Sequence, residues 1–66
     1  MKLVVNGAAR EVPDGLTVAT LLQNMGVPPS GVAVEVNEQI VRRARHAEHH
    51  LAPDDKVEIV TFVGGG

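Results

Sequence analysis

Lys56-Val57-Glu58-Ile59-Val60-Thr61-Phe62-Val63-Gly64-Gly65-Gly66 is an apolar run that passes directly into three glycines. Val57, Ile59 and Val63 fall on one face of a strand that begins at Lys56, and Val60 and Phe62 fall on the other. In a small domain with one helix only one sheet face can be covered. Val60 and Phe62 are therefore expected to stand exposed as an apolar patch beside the glycines. The glycines alone have a plain reading as a fraying terminus. The rest of the chain decides whether they are more than that.

Working back from this strand, Pro53-Asp54-Asp55 is turn chemistry, and Leu51 before it is expected to anchor to the core. Arg42 to His50 has no clean period and reads as an irregular connection with one helical turn at most. Val32, Val34 and Val36 alternate with Ala33 and Glu35 as a half-buried strand. Asn37-Glu38 then makes a tight turn into a short return strand, Gln39-Ile40-Val41.

Upstream, Val18, Leu21, Leu22 and Met25 sit at i, i+3, i+4 and i+7, a single apolar stripe. Thr17 is placed to cap this helix, and Leu16 to staple onto Leu21. Gly26 offers a left-handed C-terminal cap, and Pro28-Pro29 forbid continuation. Met25 reads as core filler. Before the helix, Met1 to Val12 reads as a hairpin about Asn6-Gly7. A two-residue turn there sets Lys2 opposite Glu11 and puts Arg10 on the face of Leu3, so either Arg10 lies at the sheet margin with its head in water or the turn is longer than two residues.

Hairpin, helix, strands, irregular connection and final strand define an α+β class. The order is that of the β-grasp arrangement of ubiquitin-like proteins, a mixed four- to five-stranded sheet wrapped around one main helix. That fold makes the first and last strands central, parallel neighbours. The expected division is a β-grasp domain over residues 1–63 and a flexible C-terminal glycine tail over 64–66.

At 66 residues the chain is one domain, near the lower limit for a self-sufficient core, with little room for a deep cleft. It has no Cys, hence no disulfide and no thiolate metal site. It has neither a signal-like apolar start nor an apolar run long enough for a membrane helix, so a cytoplasmic location without membrane association is the default expectation. A formal charge of −2, a pI near 5.8 and a single Phe as the only aromatic argue against a nucleic-acid surface.

His46, His49 and His50 make the most metal-like cluster, at i, i+3 and i+4. With no carboxylate or thiolate to complete a shell, they are expected to be a solvated surface group, and no metal is expected. Arg42, Arg43 and Arg45 are expected to form a solvated basic face. No Ser or Thr sits in a nucleophile motif, and no Gly-rich phosphate loop opens a helix. The reactive group that remains is the Gly66 carboxyl. With a pKa of about 3.5 it is an anion at neutral pH, a poor acyl electrophile until a partner converts it to an acyl-adenylate with ATP. Gly64 and Gly65, lacking Cβ, suit threading into a narrow tunnel.

Val34 to Val41, Leu51 to Lys56 and the Val57–Gly66 strand and tail resemble the ThiS family, the sulfur carrier proteins of thiamine biosynthesis. Val5-Asn6-Gly7 and the Thr17-Val18 to Leu21-Leu22 helix start fit the same family, so the likeness covers essentially the whole chain. It departs at Asp54, where the family commonly has Gly, and at Thr20, where an acidic residue is frequent.

The resemblance implies a carrier, not an enzyme. An adenylating enzyme of the ThiF type, related to ubiquitin-activating enzymes, would adenylate Gly66. A persulfide sulfur donor would then leave a terminal thiocarboxylate, which would carry sulfur to a thiazole synthase of the ThiG type. No bound cofactor is implied. Val60 and Phe62 are the candidate docking surface, Gly64 and Gly65 the threading residues, and Val63 the strand anchor. A TGS-type β-grasp module, regulatory or RNA-associated, shares the Val36-Asn37 turn and the Val57–Thr61 strand. Such modules sit inside longer chains, whereas this one is expected to be complete and to use its free glycine end. A carrier for molybdopterin or another sulfur-requiring pathway shares that terminal chemistry.

Overall fold

Asn6 and Gly7 both take positive φ, 50° and 82°, and turn β1 (Lys2–Val5) back into β2 (Ala8–Glu11). Two such residues give the twist that adjacent antiparallel strands require, and Gly7 reaches the larger angle with no Cβ to clash. The register is the expected one, with Lys2 opposite Glu11 and Leu3 opposite Arg10. Leu3 is fully buried, and Arg10 is exposed because β2 is an edge strand.

The computed structural model describes residues 1–62. The expectations for Val63 and for the tail Gly64, Gly65 and Gly66 lie outside the described residues, as does the boundary drawn between 63 and 64.

Helix α1 (Val18–Asn24) starts at Thr17, whose Oγ1 accepts the Thr20 N–H at 3.2 Å. Thr20 Oγ1 in turn accepts the Thr17 N–H at 2.8 Å, closing a reciprocal box in which Thr does the work usually given to Glu or Gln. The helix stops at Gly26, φ 70°, where the Val27 N–H reaches Leu22 O at 2.9 Å and the Gly26 N–H reaches Gln23 O at 3.1 Å. This pair of bonds satisfies carbonyls that the last turn would leave open.

A second hairpin follows. β3 (Val32–Val36) turns through Asn37 and Glu38, φ 52° and 69°, into β4 (Gln39–Val41). The chain then makes a 3₁₀ turn, Arg43–Arg45, and passes under the start of α1. There, His49 O accepts the Val18 N–H and His46 O the Ala19 N–H, both at 3.0 Å. These are orphan donors of the first helical turn, satisfied by a distant segment. A left-handed Asp54, φ 68°, completes the turn into β5 (Lys56–Thr61).

The sheet order is β2-β1-β5-β3-β4, so the expected β-grasp topology forms with five strands. β5 runs parallel to β1 and antiparallel to β3. One face packs on the helix, with Leu3, Val5, Val34, Val57 and Ile59 meeting Leu21 and Leu22 in a single buried cluster.

Two asparagines grip β5 from either side. Asn6 Oδ1 accepts the Ile59 N–H at 2.7 Å, and Asn6 Nδ2 donates to Ile59 O at 3.2 Å. Asn37 Oδ1 accepts the Lys56 N–H at 3.0 Å, and its Nδ2 donates to Asp55 Oδ1 at 2.9 Å. Asn tolerates the left-handed region and carries both a donor and an acceptor, so one residue makes the turn and clamps the strand.

Asn6 separates these two roles experimentally. Asn6→Gly keeps the positive φ but removes the clamp, and should lower stability by about 1–3 kcal/mol. Asn6→Ala should lose a further about 1 kcal/mol because Ala carries the left-handed penalty. Urea denaturation of the two variants measures both increments.

Candidate functional site

β5 is paired on both sides, so its side chains alternate between two different environments. Val57 and Ile59 point into the core at 1% and 8% exposure, whereas Val60 and Phe62 are 54% and 61% exposed. Strand alternation thus presents the expected apolar pair on the outer face, with Ala33 of β3 directly opposite Val60. The Phe62 N–H donates to Gly31 O at 2.8 Å, which fixes the backbone up to the last described residue. An apolar side chain carried on a hydrogen-bonded backbone is a ready contact for another protein surface, since the backbone beneath it is already ordered.

Ile40 belongs to the same face, and the sequence reading missed it. It is 75% exposed and sits opposite Glu35 in the β3–β4 pair. The signal was available, because Ile40 has the opposite parity to Val41, and Val41 is buried. A three-residue strand gave too little alternation to read.

His46 is corrected. It was expected in a solvated cluster with His49 and His50, but it is only 4% exposed. Its Nε2 lies 3.0 Å from Val41 O, and since a carbonyl only accepts, Nε2 carries the hydrogen. The ring therefore ties the irregular connection to β4, while the backbone carbonyl of the same residue caps α1. His49 is half-buried and His50 exposed, with His50 bridged to Thr17 through the backbone. Among the described residues no three His, Cys, Asp or Glu side chains gather closely enough to hold a metal ion.

Arg42, Arg43 and Arg45 are exposed, and Arg45 Nη1 makes one ion pair, at 3.4 Å to Glu48 Oε2. Both members of that pair are largely solvated, so it adds little stability. A recess of about 210 Å³ lies between α1 and the 3₁₀ segment, walled by Ala19, Leu22, Val27, Arg43 and His46. Among the described residues no helix is long and apolar enough to cross a membrane.

The ThiS family model matches residues 3–66. A thiazole synthase of Paramagnetospirillum magneticum is 46% identical over 66 residues, which are 100% of this chain and 20% of that protein, so the chain spans one fifth of that relative's length. The sulfur carrier protein ThiS of Escherichia coli is 30% identical over 66 residues, 100% of both chains. In three dimensions, the crystal structure of the thiamine biosynthesis protein ThiS from Geobacter metallireducens superposes with a TM-score of 0.85 at 33% identity, covering 100% of both chains.

The two faces of the last strand should respond differently to an introduced charge. Phe62→Asp should change stability by no more than about 0.5 kcal/mol, as for other exposed positions, whereas Ile59→Asp should leave the chain unfolded. Thermal melts followed by circular dichroism distinguish the two.

Proposed function

The chain belongs to the ThiS family, and from that premise we propose that it is a sulfur carrier of thiamine biosynthesis with the Gly66 carboxylate as its carrying group. The observation that carries this reading is that the family match runs through the apolar last strand to Gly66 itself. The geometry of β5 supports it. A strand bonded on both sides ends in an exposed Val60–Phe62 pair, and four further residues span at most about 14 Å. An enzyme that reaches the Gly66 carboxyl therefore lies within contact range of that pair.

The chemistry proceeds on partner enzymes. The Gly66 carboxylate attacks the α-phosphorus of ATP in an adenylating enzyme of the ThiF type, and pyrophosphate leaves. The terminal sulfur of a protein persulfide then attacks the acyl carbon, AMP leaves, and an acyl disulfide results. A thiol cleaves its S–S bond, leaving a thiocarboxylate on Gly66 and a new disulfide. The thiocarboxylate delivers sulfur to a thiazole synthase of the ThiG type. The relative from Paramagnetospirillum magneticum supports that last partner, since there a sequence like this one forms a fifth of a thiazole synthase.

The chain's own contribution is placement. Gly64 and Gly65 have no Cβ, so they can enter a narrow channel and leave the acyl carbon open to attack. Val60 and Phe62 give the partner an apolar grip remote from the reacting atom, where binding energy can be used to position it. Carrying sulfur as a tethered acyl group makes delivery depend on docking rather than on free diffusion.

The test is intact-mass spectrometry after incubation with the adenylating enzyme, ATP and a persulfide donor. The wild-type chain should gain the mass difference between sulfur and oxygen. Deleting Gly66, or adding one Ala after it, should abolish that gain while leaving the thermal midpoint unchanged. A folded wild-type chain of unchanged mass would refute the proposal.

A further inference from the structure

Asn6 is the one asparagine of the chain that a glycine follows, since Asn24 precedes Met25 and Asn37 precedes Glu38. Its side-chain amide is held twice by β5, with Oδ1 accepting the Ile59 N–H at 2.7 Å and Nδ2 donating to Ile59 O at 3.2 Å. A reactive pairing lies beside this clamp. The Gly7 nitrogen can attack the Asn6 Cγ to close a cyclic imide, and glycine has no Cβ to obstruct that approach. Both residues are exposed, and beyond its chain neighbours no atom lies within 4 Å of where a Gly7 Cβ would stand. Water therefore reaches the turn, and ring closure meets no packed neighbour. What opposes it is the pair of bonds to Ile59, which fix the amide plane against the β5 backbone.

We propose that Asn6-Gly7 is a self-modification site, held unreactive by the Asn6–Ile59 bonds and released when β5 parts from β1. The Gly7 N–H loses its proton to hydroxide, and the nitrogen bonds to the Asn6 Cγ. The Cγ–Nδ2 bond then breaks, and Nδ2 leaves as ammonia with a proton from water. A water molecule opens the imide at either carbonyl. One cleavage leaves an aspartate in place of Asn6, and the other an isoaspartate whose main chain runs through Cβ and Cγ. Overall one water is consumed and one ammonia released, with no oxidant or reductant.

Either product destroys the clamp. A carboxylate only accepts, so the donor that met Ile59 O is replaced by an oxygen facing an oxygen. Isoaspartate also lengthens the main chain inside the turn, against the register that sets Val5 opposite Ala8. Ammonia is lost to solvent, so the reaction runs one way. Each conversion is a permanent record that the central pairing opened, and it weakens that pairing thereafter.

The test compares the full wild-type chain folded in buffer and unfolded in guanidinium chloride, at one pH and temperature, by intact mass and by peptide mapping of Asn6, Asn24 and Asn37. Conversion adds the mass difference between a hydroxyl and an amino group. Asn6 should convert at least about a hundredfold more slowly in the folded chain, since displacement from attack geometry by about 1 Å already costs that much. In the unfolded chain Asn24 and Asn37 should outlast Asn6, and the product should contain isoaspartate. Asp14-Gly15 can close the same ring without a change of mass, so mapping separates it. Asn37→Gly keeps the positive φ and removes the other side-chain hold on β5. It should speed conversion at Asn6 by about two- to tenfold, the ratio that one net hydrogen bond corresponds to.

Converted wild type, separated by anion exchange, should melt below the unconverted chain, and so should Asn6→Asp. Conversion as fast folded as unfolded, or an unfolded chain that loses Asn24 or Asn37 as readily as Asn6, would overturn the proposal. So would a product without isoaspartate, an Asn37→Gly chain no faster than wild type, or a converted chain as stable as the unconverted one. None of these readouts depends on the carrier reading.

Discussion

The pairing of β5 with β1 on one side and β3 on the other is the contact on which the remaining structure depends. It joins residues far apart in sequence, as in the Asn6–Ile59 bonds across 53 positions, and so carries the largest loop-closure penalty in the fold. The chain concentrates reward at the same place. Val57 and Ile59 enter the core, the Val4 N–H bonds to Asp55 O at 2.9 Å and the Asn6 N–H to Val57 O at 2.8 Å. The Asn6 and Asn37 side chains add bonds to the β5 backbone that neither neighbouring strand supplies.

Placing β5 in the centre also sets how the chain meets a partner. A central strand cannot shift register without breaking two ladders at once, so the position of Phe62 is held by the whole sheet. Its N–H bond to Gly31 extends that hold one residue beyond the strand. Because the one helix covers the inner face, the outer face of the same strand remains open. The residue that anchors the core and the residue offered to a partner are therefore separated by a single step along β5.

The connection from Arg42 to Asp55 is the price of returning the chain to the centre of the sheet, and it is used structurally. Its carbonyls at His46 and His49 receive the first N–H groups of α1, and Leu51 N–H reaches Leu16 O at 2.8 Å. A seven-residue helix is too short to be stable by propensity, so these tertiary bonds and the buried stripe of Val18, Leu21 and Leu22 hold it. The buried His46 ring fixes the same connection to β4 from the other side.

The sequence by itself determined the strands, the helix and both asparagine turns, because each is written locally in period, cap and turn chemistry. Thr17, Gly26 and the alternation around Val34 and Val57 act within a few residues, and they predict elements without reference to the rest of the chain. It also marked Phe62 as outward, since alternation and a single covering helix suffice for that. Tertiary structure alone decided that His46 is buried. It also decided that Ile40 shares one face with Val60 and Phe62. Those facts depend on which strand lies beside which and in what register, and no local pattern carries that information when the contacting residues are distant in the chain.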